Sequence, residues 1–213
     1  MNLLKKKNQL YPELSPTERI PKLIVEFVFP SSEKEGFKIL KSGLSIKRTV
    51  RIFNQEIWFS KSKWNNENEI CAFTPNFSVS IKGYDKWHKS QYGGNSANYI
   101  ESWNPELFDD NDYDLAKDDN KRIVELLNQN IENVGIPYLT TLSKYDSAVE
   151  HLIESERYYL APKMIDICII NEDLQAANNI LIWFRNYERA DESKFMESTL
   201  NDMNQRELKL KGV

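Results

Sequence analysis

Hydrolytic and acid–base enzymes most often rely on a histidine to move protons, and this chain has only His88 and His151. His151 falls between Glu150 and Leu152 in a helical pattern and reads as a surface or boundary residue. His88 is the stronger candidate, with Trp87, Lys89 and the pair Gly93-Gly94 close by in sequence. No serine stands in a G-x-S-x-G string, and no motif ties Cys71 to His88, so catalysis through these groups is not expected. Asp110-Asn111-Asp112-Tyr113-Asp114 has the alternating carboxylates of a calcium loop. Its sixth and twelfth positions, however, are Leu115 and Lys121, where a glycine and a bidentate glutamate are required. Gly93-Gly94 lacks the Gly-Lys-Ser ending of a phosphate cradle. A solvated acidic loop running into a helix cap is the better reading, and no metal or cofactor is expected.

Arg48 is the cation that most needs a partner. It shares a strand face with Leu44, Ile46, Val50 and Ile52, so burial there demands a carboxylate or a backbone carbonyl. Set instead in a cleft beside Trp58 or Trp64, and joined by His88, it would mark a contact for an anionic ligand. Lys47, Arg51, Lys61 and Lys63 interleave with the same tryptophans, a pattern that could stack single-stranded nucleic acid. The net charge of −4 favours a solvated sheet face over that reading.

The elements that must position these groups are legible from apolar spacing. Leu44 to Ile52 and Phe77 to Ile81 alternate apolar with polar residues, the period of a half-buried strand. Strands are expected at 43–52, 56–63, 70–82 and 98–103, the second central because Trp58 and its neighbours Ile57 and Phe59 put bulk on both faces. Asn65 to Glu69 and Tyr92 to Ser96 read as turns.

Residues 1–14 read as a loose arm. Ser15-Pro16-Thr17-Glu18 is a capping box opening a helix with Ile20, Leu23, Ile24, Phe27 and Val28 on one stripe, stopped by Pro30. Asp118 or Asp119 caps a second helix, stopped by Gly135 and Pro137. Ser143 to Asp146 has cap-box spacing, and further helices start near Pro162, at Asp173 and near Glu192. The sum is an α+β domain over 1–213. A central, mainly antiparallel sheet of about four to six strands lies mostly within 37–103. A helical C-terminal part, 143–213, is a candidate subdomain.

Composition fits a soluble globular chain, with 40% apolar and 28% charged residues and no apolar run long enough to span a bilayer. Leu3-Leu4 precede Lys5-Lys6-Lys7, the reverse of a secretory leader, so a cytoplasmic location is expected. Cys71 and Cys168 suit buried thiols. Charge is segregated: residues 31–90 hold eleven Lys or Arg against six acids, whereas 101–119 hold eight acids against Lys117 alone.

Gly36-Phe37-Lys38, Arg48, Ser60-Lys61-Ser62-Lys63-Trp64, the Phe77 to Ile81 strand and the string from Ile123 through Gly135-Ile136-Pro137 to Leu142 resemble the domain-of-unknown-function family numbered 4304. The resemblance covers roughly the first 150 residues. It implies an α+β bacterial protein without established catalytic residues, some relatives of which look similar in context to immunity proteins. Together with the charge pattern it suggests a non-enzymatic protein binder that meets a basic partner, such as a toxin. Trp103, Phe108, Asp109, Asp110, Asp112, Tyr113 and Asp114 would form the contact. The competing expectation is a small-molecule or anion-handling enzyme or sensor built on Arg48 and His88.

Overall fold

The computed structural model describes residues 8–66, 69–94, 96, 99–103, 113–155, 157–190 and 197–212. Internal packing divides the chain into two units, one from the residues up to Lys82 with 101–143, the other from 83–100 with 144–213.

The first unit carries an α+β fold around an open antiparallel sheet. The strands are β1 (Lys38–Ile39), β2 (Ser45–Val50), β3 (Phe53–Lys61), β4 (Ala72–Ile81), β5 (Tyr99–Trp103), of which 101–103 belong to this unit, and β6 (Tyr113–Asp114). Their order is β1-β2-β3-β4-β5, with β6 also on β4, so β3 is central as its two-sided bulk required. The register sets Ile46 against Ile57, Arg48 against Gln55, and Ile57 against Phe77. One face therefore gathers Ile46, Phe53, Ile57, Phe59, Phe77, Val79 and Ile81, all buried. The hairpin between β2 and β3 turns at Arg51-Ile52, two residues earlier than the alternation suggested, because Arg51 takes a left-handed φ of 56° with no glycine to announce it.

Both prolines read as helix stops prove to be continuations. The first helix, α1 (Pro16–Leu23), passes through a π turn at Ile24–Val28 into α2 (Phe29–Lys34). The later one, α4 (Asn120–Asn130), passes through a π turn at Ile131–Gly135 into α5 (Ile136–Leu142). In each case the wide turn closes on the residue just before proline: Phe29 N–H donates to Ile24 O and Ile136 N–H to Ile131 O. A proline ring clashes with the carbonyl four residues back, and the extra residue of a π turn relieves that clash. The extra residue also rotates the helix face, so Phe27 is exposed while Ile24 and Val28 are buried. Asp119 caps α4 as expected, its Oδ1 accepting from the backbone of Lys121 and Arg122.

The described part of the N-terminal arm is pinned rather than loose. Asn8 Nδ2 donates to Asp119, Gln9 to Ala116 O, and Leu10 N–H to Asn120 Oδ1. Arg19, buried in α1, completes the clasp with bonds to Leu10 O, Leu115 O and Asn120 Oδ1.

The second unit is helical: α3 (Tyr84–Tyr92), α6 (Tyr145–Glu154), α7 (Ala161–Ile170), α8 (Leu174–Ala190) and α9 (Glu197–Leu210). α3, unforeseen in the sequence, begins and ends on left-handed glycines, Gly83 and Gly93. α7 and α8, the helices expected to start near Pro162 and at Asp173, pack together as a hairpin, with Asp173 Oδ1 accepting from Ala176 N–H. Ser143 does not cap α6. Its hydroxyl donates to Leu139 O and accepts from Gln55, an interior demand that outweighs the local one. Among the described residues no helix is long and apolar enough to cross a membrane.

Candidate functional site

Of the carboxylate or backbone carbonyl that burial of Arg48 would demand, the first unit supplies the carbonyl at hydrogen-bond distance. Nε donates to Gln55 Oε1 at 2.6 Å, Nη1 to Glu35 O at 2.6 Å and Nη2 to Thr140 Oγ1 at 3.1 Å. The guanidinium also lies 4.6 Å from the Phe37 ring centroid, with the Glu35 carboxylate 3.8 Å away. Burial pulls its pKa down and Glu35 pulls the other way. Gln55, fully buried on the central strand, passes the network on by donating to Leu139 O and Ser143 Oγ. Each nitrogen of Arg48 is thus engaged by its own chain, which suits a clamp between sheet and helix.

Trp58 is half-buried on β3, on the face opposite Arg48. Trp64 is 69% exposed in the loop between β3 and β4. Two of its described residues are tied back by hydrogen bonds. Asn65 closes on Ala72 through both backbone atoms, Nδ2 to O at 2.9 Å and N–H to Oδ1 at 2.7 Å, and Asn66 N–H reaches Ile70 O. The Lys63 ammonium sits 5.0 Å from the Trp64 ring centroid. A large aromatic side chain is thus exposed next to the Asn65–Ala72 clasp.

Of the acidic segment, Phe108, Asp109, Asp110 and Asp112 lie outside the described residues, as does the side chain of Trp103 at the end of β5. Tyr113 and Asp114 form β6 and are both buried. Tyr113 stacks on Phe73 at 5.6 Å and accepts from Asn130 Nδ2. Asp114 Oδ1 accepts from Cys71 N–H and Ala116 N–H, and Oδ2 pairs with Lys117 at 3.1 Å. These two residues anchor the segment. Its entrance, β5, and its exit, β6, both lie on β4, and the exit pairs with Ala72, the residue that Asn65 grips beside Trp64.

In the second unit His88 lies in an aromatic stack on α3. Its ring centroid is 5.7 Å from Tyr84 and 5.0 Å from Tyr92, and Nδ1 faces Gly94 O at 3.1 Å. Beneath the stack is a buried ion pair that sequence reasoning passed over. Arg206 of α9 reaches Asp166 of α7 through Nη2 to Oδ2 at 2.7 Å and Nε to Oδ1 at 3.2 Å, with neither side chain more than 2% exposed. Tyr84 donates to Asp166 Oδ2 at 2.6 Å and Tyr92 to Oδ1 at 2.9 Å. Burial, then the nearby carboxylate, raises both phenols well above their ordinary range. Burial opposes the charge on Arg206, but Asp166 prevails and raises it. The signal was present: Asp166 is the one acid in the apolar run Met164 to Ile170, and Tyr84, His88 and Tyr92 recur every four residues.

Cys71 and Cys168 are free and buried, and burial pushes each thiol up to about 11, far from the range of a reactive thiolate. Comparison with protein-family models, curated proteins and solved structures returns no match for this chain.

Proposed function

We propose that this chain acts by binding another protein, as an immunity-type antagonist does, and that its partner is basic. The observation that carries this reading is the mounting of the acidic stretch: 101–119 enters on β5 and leaves on β6, both seated on β4. A charged loop with its two ends fixed to a rigid sheet is the usual way a scaffold presents a recognition segment. Trp64 beside the exit supports the reading, since an exposed tryptophan next to that clasp supplies apolar contact. Complementary charge would set encounter rate and partner choice, with Trp64 and the aromatic residues of the segment supplying the anchor.

The test is affinity capture from the source cell with three forms of the full chain: unaltered, Asp109, Asp110 and Asp112 all changed to Asn, and Trp64→Ala. A single basic protein should be retained by the unaltered chain and lost by the other two, with association slowing as salt rises. Retention that ignores the three neutralised carboxylates, or a partner of acidic character, refutes the proposal.

A further inference from the structure

An open depression of about 490 Å³ lies in the second unit between the end of α3 and the last turns of α9, lined by Gln91, Tyr92, Gln205, Leu208, Lys209 and Gly212. Its volume is within the range of small-ligand sites. One wall is tied down on several sides. The Tyr92 hydroxyl is committed to Asp166, the Arg206 guanidinium lies 4.0 Å from its ring centroid, and His88 and Trp87 pack on the ring at 5.0 and 6.1 Å. A wall fixed before binding adds no ordering cost when a ligand arrives.

The cation in this depression is incompletely matched. Lys209 hydrogen-bonds the neutral carboxamide of Gln91 and sits 5.2 and 5.3 Å from the ring centroids of Trp87 and Tyr92. Among the described residues no carboxylate is within ion-pair distance of it, and the one buried acid nearby, Asp166, is engaged by Arg206. Burial pulls the Lys209 ammonium down from its ordinary pKa, Asp166 draws it up and Arg206 pushes it down. Beside it Leu208 is 52% exposed, and the Gln91 and Gln205 carboxamides complete the rim. A cation, an apolar side chain, an aromatic ring and two amides in one concavity are the complement of a small acid with a flat apolar body.

We propose that this depression binds a small aromatic carboxylate, its anionic group on Lys209 and its body against Leu208 and Tyr92. This site is separate in residues and in chemistry from the protein-binding segment proposed above, and either can stand without the other.

The experiment is a titration of the isotopically labelled full chain with phenylacetate, followed by proton–nitrogen correlation spectra. Acetate serves as the charge without the body and benzyl alcohol as the body without the charge. The side-chain amide signals of Gln91 and Gln205 should shift saturably with phenylacetate, with a dissociation constant on the order of 1 mM for so small a probe. Acetate and benzyl alcohol should each bind at least about tenfold more weakly. Lys209→Gln should weaken phenylacetate by a similar factor, while Lys209→Arg, which keeps the charge, should retain it. The same spectra show whether each variant is folded. Shifts that do not saturate at these amides, acetate binding as tightly as phenylacetate, or a folded Lys209→Gln chain that binds undiminished would each overturn the proposal. Loss of binding in Lys209→Arg would overturn it too.

Discussion

A Cβ placed on Gly135 would lie 2.0 Å from Cε1 of Phe77, inside the ring's van der Waals surface. Gly135 has an ordinary helical backbone, so its role is closeness rather than conformational freedom. The π turn before Pro137 is pressed directly onto the ring of β4, and that contact seats the helix on the sheet. Gly135→Ala should therefore destabilise the chain by about 2 kcal/mol, even though alanine is the better helix former, because the Phe77 ring must move in a filled core. Gly135→Ala combined with Phe77→Leu should recover part of the loss. A urea midpoint unchanged in the alanine variant would show that the helix can lift from the sheet at little cost.

The Asp166–Arg206 pair ties α7 to α9, and through Tyr84 and Tyr92 it ties both to α3. Removing one charge strands the other in the interior. Asp166→Asn and Arg206→Met should each cost about 3–5 kcal/mol, and the double variant should cost clearly less than the sum of the two. Urea denaturation of all four forms gives the coupling. Additive losses would mean that the two charges are solvated separately.

Arg51 occupies the first turn position of the β2–β3 hairpin at φ 56°. A side chain in the left-handed region costs about 1–2 kcal/mol, and glycine avoids that cost while adding freedom to the unfolded chain. Arg51→Gly should be stabilising by about 0.5 kcal/mol, whereas Arg51→Val, β-branched, should be destabilising by about 1 kcal/mol. Thermal midpoints should rank glycine above arginine above valine. Any other order would place the hairpin's preference elsewhere than in this dihedral.

The part of the fold that could be seen beforehand is the part where one local rule acts alone. Period-two alternation around Ile46 and Phe77 located β2 and β4, and Asp119 and Asp173 announced the helices they cap. Where two rules compete, the sequence is ambiguous. Pro30 and Pro137 carry the residue type of a stop, yet a π turn of five residues ahead of each lets the helix run on. Ser143 has the spacing of a cap but answers Gln55 instead, a residue 88 positions away. α3 was hidden because its inward stripe is made of buried Tyr84 and His88 and half-buried Tyr92, polar by type and able to face inward only once their polar atoms find partners. The candidate site shows the same division. Arg48 could be marked as a cation in need of a carboxylate or a carbonyl, but which of the two, and that it is Glu35 O, is fixed by tertiary packing alone.

The buried thiols of Cys71 and Cys168 give the chain an alkaline limit whose sign can be worked out. Folded, each holds its proton up to about 11 because burial disfavours the thiolate; unfolded, each releases it near pH 8.5. Between those values the unfolded chain binds fewer protons than the native one, so stability is complete below about pH 8.5 and falls as pH rises toward about 11. Each thiol contributes a limiting slope of about 1.4 kcal/mol per pH unit in that window. The phenols of Tyr84, Tyr92 and Tyr145, also raised by burial, steepen the fall once their unfolded counterparts ionise near pH 10. Cys71→Ala with Cys168→Ala removes the thiol contribution and leaves the phenols. Urea denaturation from pH 7.5 to 9.5, below most of the tyrosine titration, should show a fall in stability for the native sequence and a nearly flat line for the double variant. Parallel lines would mean that the two thiols ionise as readily inside the fold as outside it.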